Sequence, residues 1–236
     1  GVSVIGISNQ YTPLLHPARN IYEWVSKFIM DNFAPVTIGV GLGWKKMPCS
    51  STNIVIPPIV QLPENPPTIN RRKILVYAPF MEEWHTLHTL LQIGPPYQFV
   101  VYGIPQPENW FTNDIVFRSP SVAGFTADFD ECIGVICSAG FELLSRAIAN
   151  DKGIYTCPLE GQVEQELNVA RLPTRPHITH SRELDCVAIW QWLSSLDAHV
   201  PNPSSMIDSA KLIADWIDTG DLYCITNEMS DMAWPK

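Results

Sequence analysis

The chain is short of charge, and of positive charge above all. Among 236 residues, 15 are lysine or arginine and 24 are aspartate or glutamate, a formal net charge of −9. That excess of acid argues against a general binder of nucleic acid or of anionic membranes. No apolar run approaches the ~20 residues of a membrane span. Residues 1–7 show no basic stretch ahead of an apolar core and no cleavage pattern, so no signal peptide is expected there. Cys49, Cys132, Cys137, Cys157, Cys186 and Cys224 form no Cys-x-x-Cys pair, and no histidines flank them at zinc spacing. No metal site is therefore expected. There is no glycosylation acceptor, because Asn202 is followed by Pro203. Cys132, Cys137 and Cys157 lie in or beside apolar runs and read as buried thiols. Together these absences point to a reducing cytoplasm.

What is present is a globular pattern. The chain is 46% hydrophobic and 17% charged, which excludes wholesale disorder. Strands are expected over 2–7, 35–40 and 53–59, with a helix over about 20–28 on which Ile21, Trp24, Val25 and Phe28 share a face, capped by Asn20. A proline-rich stretch comes next and reads as a stiff linker over 61–72. After it the pattern turns regular. Apolar strands over 73–78, 97–102, 114–117, 134–137 and 153–157 alternate with helices over 82–91, 123–132, 142–149 and 162–172. Continuous apolar strands alternating with helices mean a parallel sheet covered on both faces. Two further helices are expected around 189–196 and 206–217. Ligands of such sheets bind outside the carboxyl ends of the strands.

Two motifs lie on adjacent strand–helix units. In the first, a strand ends in Ser138-Ala139-Gly140 and opens a helix with Phe141-Glu142. Glycine admits close backbone approach, and a helix N-terminus offers N–H groups to a phosphate. In the second, a strand ending at Pro158 precedes Glu160, Gly161, Gln162, Glu164, Gln165 and Asn168. Carboxylates and amides at the mouth of a parallel sheet suit the hydroxyls of a ribose or hexose. A solvated acidic face is the plainer alternative for the second motif.

Ser138-Ala139-Gly140-Phe141-Glu142 together with Pro158-Leu159-Glu160-Gly161-Gln162-Val163-Glu164-Gln165-Glu166-Leu167-Asn168 resembles the donor half of GT-B glycosyltransferases. It is most similar to a family typified by archaeal and marine-bacterial proteins, and more distantly to the N-acetylglucosaminyltransferase that makes lipid II. KILVYAPF (73–80) and FVVYG (99–103) fit the same pattern, as do Ile7-Ser8-Asn9-Gln10 and Val55-Ile56-Pro57-Pro58 upstream. The resemblance implies an α/β, GT-B-like fold: a Rossmann-like parallel-sheet C-domain plus the late part of a Rossmann-like N-domain. The implied division is an acceptor-side remnant over 1–60, the linker over 61–72, a donor domain over 73–185 and C-terminal helices over 186–236. It implies binding of a nucleotide-diphospho-sugar, UDP-type, without an essential metal or other cofactor. The 138–141 turn would hold the diphosphate. Glu164, Gln165 and Asn168 would sit near the sugar or the adjoining cleft, with Glu160, Gly161 and Gln162 on the donor-binding loop and Phe117 and Arg118 near the base. Asn9, Gln10 and His16 would lie on the acceptor side.

The sequence also departs from that family. Arg146 stands where related enzymes carry a glutamate that accepts ribose hydroxyls, and arginine accepts no hydrogen bond. It can instead pair with a phosphate or with Glu142, at i, i+4. Two Rossmann-like domains need on the order of 300 residues, so a missing N-domain or a partner subunit is the implied complement. Two readings stand beside glycosyl transfer: a non-catalytic donor-binding half, and a sugar-nucleotide epimerase. Gly39-Val40-Gly41-Leu42-Gly43 is set aside as a dinucleotide fingerprint, because no periodic helix comes after it, and reads as a loop in the cleft. His177 and His180 are set aside for want of ligand partners.

Overall fold

The computed structural model describes residues 4–11, 21–47, 52–63, 67–79, 81–203, 208–219 and 234. Asn20, His16, Phe80, Cys49, Cys224 and part of the proline-rich stretch lie outside the described residues. Two parallel sheets organise the chain. The first has the order β1 (Ile5–Ser8), β2 (Ile38–Leu42), β3 (Asn53–Ile56), with α1 (Ile21–Phe33) between its first two strands. The glycine run expected as a loop is therefore mostly strand. Its main chain hydrogen-bonds to neighbours on both sides, and the chain leaves the sheet only from Gly43 onward.

The second sheet contains β4 (Asn70–Tyr77), β5 (Gln98–Tyr102), β6 (Ile115–Arg118), β7 (Cys132–Cys137), β8 (Gly153–Thr156) and β9 (Ile178–His180). Their spatial order is β6-β5-β4-β7-β8-β9, all parallel. That order is Rossmann-like, and it reverses direction between β4 and β7. The connecting helices are α2 (Glu83–Ile93), α3 (Val122–Glu131), α4 (Phe141–Ala149) and α5 (Val163–Arg171). After β9 come α6 (Cys186–Leu196) and α7 (Ser209–Thr219). The first three residues of β4 come from the stretch expected as linker. β9 is a strand that no apolar run announces.

Alternation along the strands builds a core on each face of the second sheet. Ile74, Val76, Phe99, Val101 and Ile136 face α2 and α6, with Leu87, Leu90, Trp192 and Leu193. Leu75, Val100, Val135 and Cys137 face the other way, with Phe129, Leu144 and Ile148. On the first face α6 sits unusually close. A Cβ at Gly134 would stand 2.9 Å from the Trp192 ring, and one at Gly153 would stand 2.5 Å from Leu196. The two glycines thus form the floor on which α6 docks, and the Trp192 indole N–H donates to the His177 carbonyl at 3.0 Å.

The last helix does not continue this layer. Leu212, Ile213 and Trp216 of α7 cluster with Val40, Ile54 and Ile56 of the first sheet. Cys132, Cys137, Cys157 and Cys186 are free thiols. Burial pushes the first three up, to about 11, 12 and 12.

Candidate functional site

The carboxyl ends of β7 and β8 meet two helices whose N-termini lack caps. Helices α3 and α6 start conventionally: Ser121 accepts from the Gly124 N–H, and Asp185 from the Ala188 N–H. Helices α4 and α5 start at Gly140 and Gln162, and neither is closed by a side chain. A helix start leaves up to four N–H groups and a partial positive charge to be met by something else. Gly140 is informative here. Its φ of −67° suits any residue, and a Cβ there would meet nothing within 4 Å. The space over the start of α4 is open. Gly161 differs, since its φ of +77° favours glycine at the turn before α5.

Two amides of α5 tie the loops to one another. Gln165 Oε1 accepts from the N–H groups of Ala139 at 3.2 Å and Leu159 at 2.9 Å. Asn168, 2% exposed, donates to the Ala139 carbonyl at 2.9 Å. The family resemblance has both near the sugar or the adjoining cleft. Each has a main-chain partner in the 138–140 turn, and so holds its shape.

Glu164 faces the first sheet. Its carboxylate accepts from Asn9 Nδ2 at 3.0 Å and from Gln10 Nε2 at 3.2 Å. Asn9 and Gln10 come directly after β1, so the two sequence-distant polar motifs meet across the cleft between the sheets. A second bridge lies beside them. Trp44 stacks on Phe141 with ring centres 5.2 Å apart, and its indole N–H donates to Ser145 Oγ at 2.9 Å. Trp44 is buried. Nothing in the sequence marks it out except its position after the glycine run.

Other expected site residues are spread more widely. Ser138 lies in the turn, half-buried, while Glu142, Glu160 and Gln162 are exposed around it. Phe117 and Arg118 end β6, three strand positions from β7, or roughly 14 Å at the usual strand spacing. Phe117 packs edge-on against Trp110 at 5.1 Å. Arg118 pairs with Asp128 at 3.2 Å. Arg146 does not pair with Glu142. Helix α3 presents Asp130 to it at 3.0 Å, and the guanidinium lies 4.1 Å from the centre of the Phe129 ring. An arginine gains more from that half-buried carboxylate and ring face than from the solvated Glu142.

Beneath β4 to β6, Lys73 contacts both Asp128 and Glu131 at 2.7 Å. Burial works to raise the Asp128 pKa, but hydrogen bonds from Lys73 and Tyr102 and the charges of Lys73 and Arg118 hold it below the usual carboxylate value. Burial, with the same hydrogen bond, lifts Tyr102 to about 12. A separate cavity of about 610 Å³ opens along α5 between Tyr22, Glu166, Thr174, Arg175 and His180.

The uncapped start of α4 follows β7, where the strand order reverses, and that of α5 follows the next strand; both helices meet the first sheet's loops across the cleft. That arrangement is Rossmann-like and of glycosyltransferase type. The family model described as glycosyl transferase family 1 matches residues 47–197, and the chain belongs to that family. No curated protein matches the chain. None of the described helices is long and apolar enough to cross a membrane.

Proposed function

We propose that the chain binds a nucleotide-diphospho-sugar, of UDP type, in the cleft between its sheets. The observation that carries this reading is the open, uncapped start of α4 at Gly140, beside the strand reversal. A diphosphate there accepts from main-chain N–H groups and meets the positive helix end. As the glycosidic bond to the sugar breaks, negative charge grows on the departing diphosphate, and the same groups stabilise it in place. Glu164 then accepts from sugar hydroxyls, exchanging its Asn9 and Gln10 partners for the donor. Gln165 and Asn168 act as positioning residues for the turn. The acceptor is a second substrate whose hydroxyl attacks the donor sugar, and a base on the acceptor side or on a partner subunit takes its proton. The donor site uses no metal, and the setting is cytoplasmic.

The test is calorimetric titration with UDP and UDP-sugars, together with the substitution Gly140→Asp. The backbone at 140 suits a capping aspartate, which changes stability by only a few tenths of a kcal/mol. Its carboxylate would occupy the anion's place. The expected result is a folded variant with unchanged Tm whose UDP affinity falls at least tenfold. No binding of any UDP ligand at millimolar concentration sinks the reading.

One observation favours a second reading, in which the chain binds donor without transferring it. Arg146 is committed to Asp130 and Phe129, which leaves no acceptor group at the position where the resembled enzymes hold ribose. UDP binding without turnover of any UDP-sugar would favour that reading.

A further inference from the structure

At the opposite end of the second sheet, three ligand-type side chains converge. Asp151 sits in the turn after α4, His177 just before β9 and His199 just after α6. Their nitrogen and oxygen atoms all lie within 4.8 Å of one another. His177 Nε2 is 3.2 Å from Asp151 Oδ1, and His199 Nε2 is 3.9 Å from Asp151 Oδ2. The two imidazole rings stack with centres 4.0 Å apart. His177 is only 8% exposed, and its buried Nε2 makes no well-formed hydrogen bond, although the Asp151 carboxylate lies 3.2 Å away. A buried, unpaired polar atom is destabilising unless something meets it.

We propose that Asp151, His177 and His199 form a binding site for a divalent transition-metal ion of the zinc type, with water completing the coordination. Ligands around a tetrahedral ion at about 2.0–2.1 Å lie roughly 3.3 Å apart; the 3.2 Å Asp151–His177 separation already matches, and the 3.9 Å Asp151–His199 separation has to shorten. The required movement is local. His199 Nε2 gives up its 2.6 Å hydrogen bond to the Asp151 carbonyl, and the stacked rings tilt until their lone pairs converge. The carboxylate is braced from behind by Arg175 Nη1 at 2.9 Å and by the Asn202 N–H at 3.1 Å. A carboxylate has about four lone-pair sites, so these bonds leave room for an ion, and ligating carboxylates are commonly braced this way. The positive charge of Arg175 makes the site weaker than a closed four-ligand site. Two imidazoles and one carboxylate select zinc, cobalt or nickel over magnesium or calcium.

The protonation states suit the role. Burial works against the Asp151 charge, but the His177 contact, the Asn202 N–H and the nearby imidazoles hold its pKa below the usual carboxylate value. Burial pushes the His199 pKa down, which favours the neutral, ligating ring at pH 7. A bound ion would staple the α4–β8 turn, the approach to β9 and the chain leaving α6. None of these groups belongs to the donor cleft, so this site stands or falls independently of it.

The experiment uses the full chain, stripped with a chelator, and then titrated with Zn²⁺ and separately with Co²⁺. One equivalent should bind, and with free metal about 100-fold above Kd the Tm should rise by about 5–10 °C. The double variant H177Q/H199Q, shown to be folded by circular dichroism, should lose that rise. An absent rise overturns the proposal. So does an equal rise in the double variant, which would mean that thiols or other groups bind the ion. If the double variant does not fold, the Co²⁺ spectrum of the unmodified chain decides. Visible bands of a low-coordinate N/O site without thiolate charge transfer support the site, and their absence overturns it.

Discussion

The two sheets of this chain are stabilised in opposite ways. The six-stranded sheet supplies its own cover: helices lie on both faces, and β7 is buried throughout. The three-stranded sheet borrows. One of its faces is closed by α7, which arrives from the far end of the chain. Its edge strand β1 leaves Ile5 and Ile7 exposed, and α1 leaves Trp24, Phe28 and Phe33 exposed, with Phe28 against each of the other two. The perturbed titratable groups divide the same way. Asp128, Asp151 and His199, with the ion pairs around Lys73, all belong to the six-stranded part. One sheet is a self-sufficient scaffold; the other is covered by α7 and held against the scaffold by Trp44 and Glu164.

The largest test of that contrast is Trp192→Ala. It removes a ring packed over Gly134 and Gly153 and leaves a cavity, so a loss of about 3–5 kcal/mol is expected by urea unfolding. The whole chain should lose protection together, because the scaffold fails. Trp216→Ala removes a similar ring from α7, at a cost of about 3 kcal/mol. Here hydrogen exchange should accelerate over 38–42 and 53–56 while 73–77 and 133–137 stay protected. Equal loss in both sheets would break the contrast, because the small sheet would then be part of one cooperative unit.

The smallest effect is acidic. Asp128 and Asp151 titrate below their ordinary values. Their contribution is complete above the unfolded pKa of about 3.9 and is lost as pH falls through the lower folded value. His199 acts earlier: its folded pKa also lies below the unfolded one of about 6.5, so the folded state takes up its proton less readily. Stability therefore begins to fall as pH drops below about 6.5. Hydrogen exchange at pH 7, 5.5 and 4 should show 153–156 and 178–180 losing protection as the pH falls, and 38–42 losing it no later, because the small sheet leans on the scaffold. Unchanged protection of 153–156 and 178–180 down to pH 4 would place the acid-sensitive groups elsewhere.

The scaffold was largely legible in the sequence, because buried parallel strands are continuous apolar runs. The strands over 73–78 and 97–102 and the helix over 142–149 fall within a few residues of their positions. Strand β9 escaped because Ile178-Thr179-His180 is too short and polar to show a period. It pairs only because β8 presents an open edge. The cleft was half legible. Sequence put Asn9 and Gln10 on the acceptor side and Glu164, Gln165 and Asn168 on the donor side; in the structure Asn9 and Gln10 meet Glu164 directly. It could not show that Gln165 and Asn168 are spent on main-chain bonds, since an amide looks the same whether its partner is a ligand or a loop. Nor could it find Trp44 on Phe141, or His177 beside Asp151 and His199, because those contacts depend on tertiary docking alone.

The return of α7 to the first sheet also sets a timetable. Ile54 and Ile56 leave the ribosome roughly 160 residues before Trp216, and at about 5–20 residues per second that is on the order of 8–30 s. During that interval the scaffold can fold while the small sheet waits, apolar and half covered. Newborn chains therefore pass through a stage in which the apolar face over Ile54 and Ile56 has no cover, and the small sheet is completed only when α7 arrives.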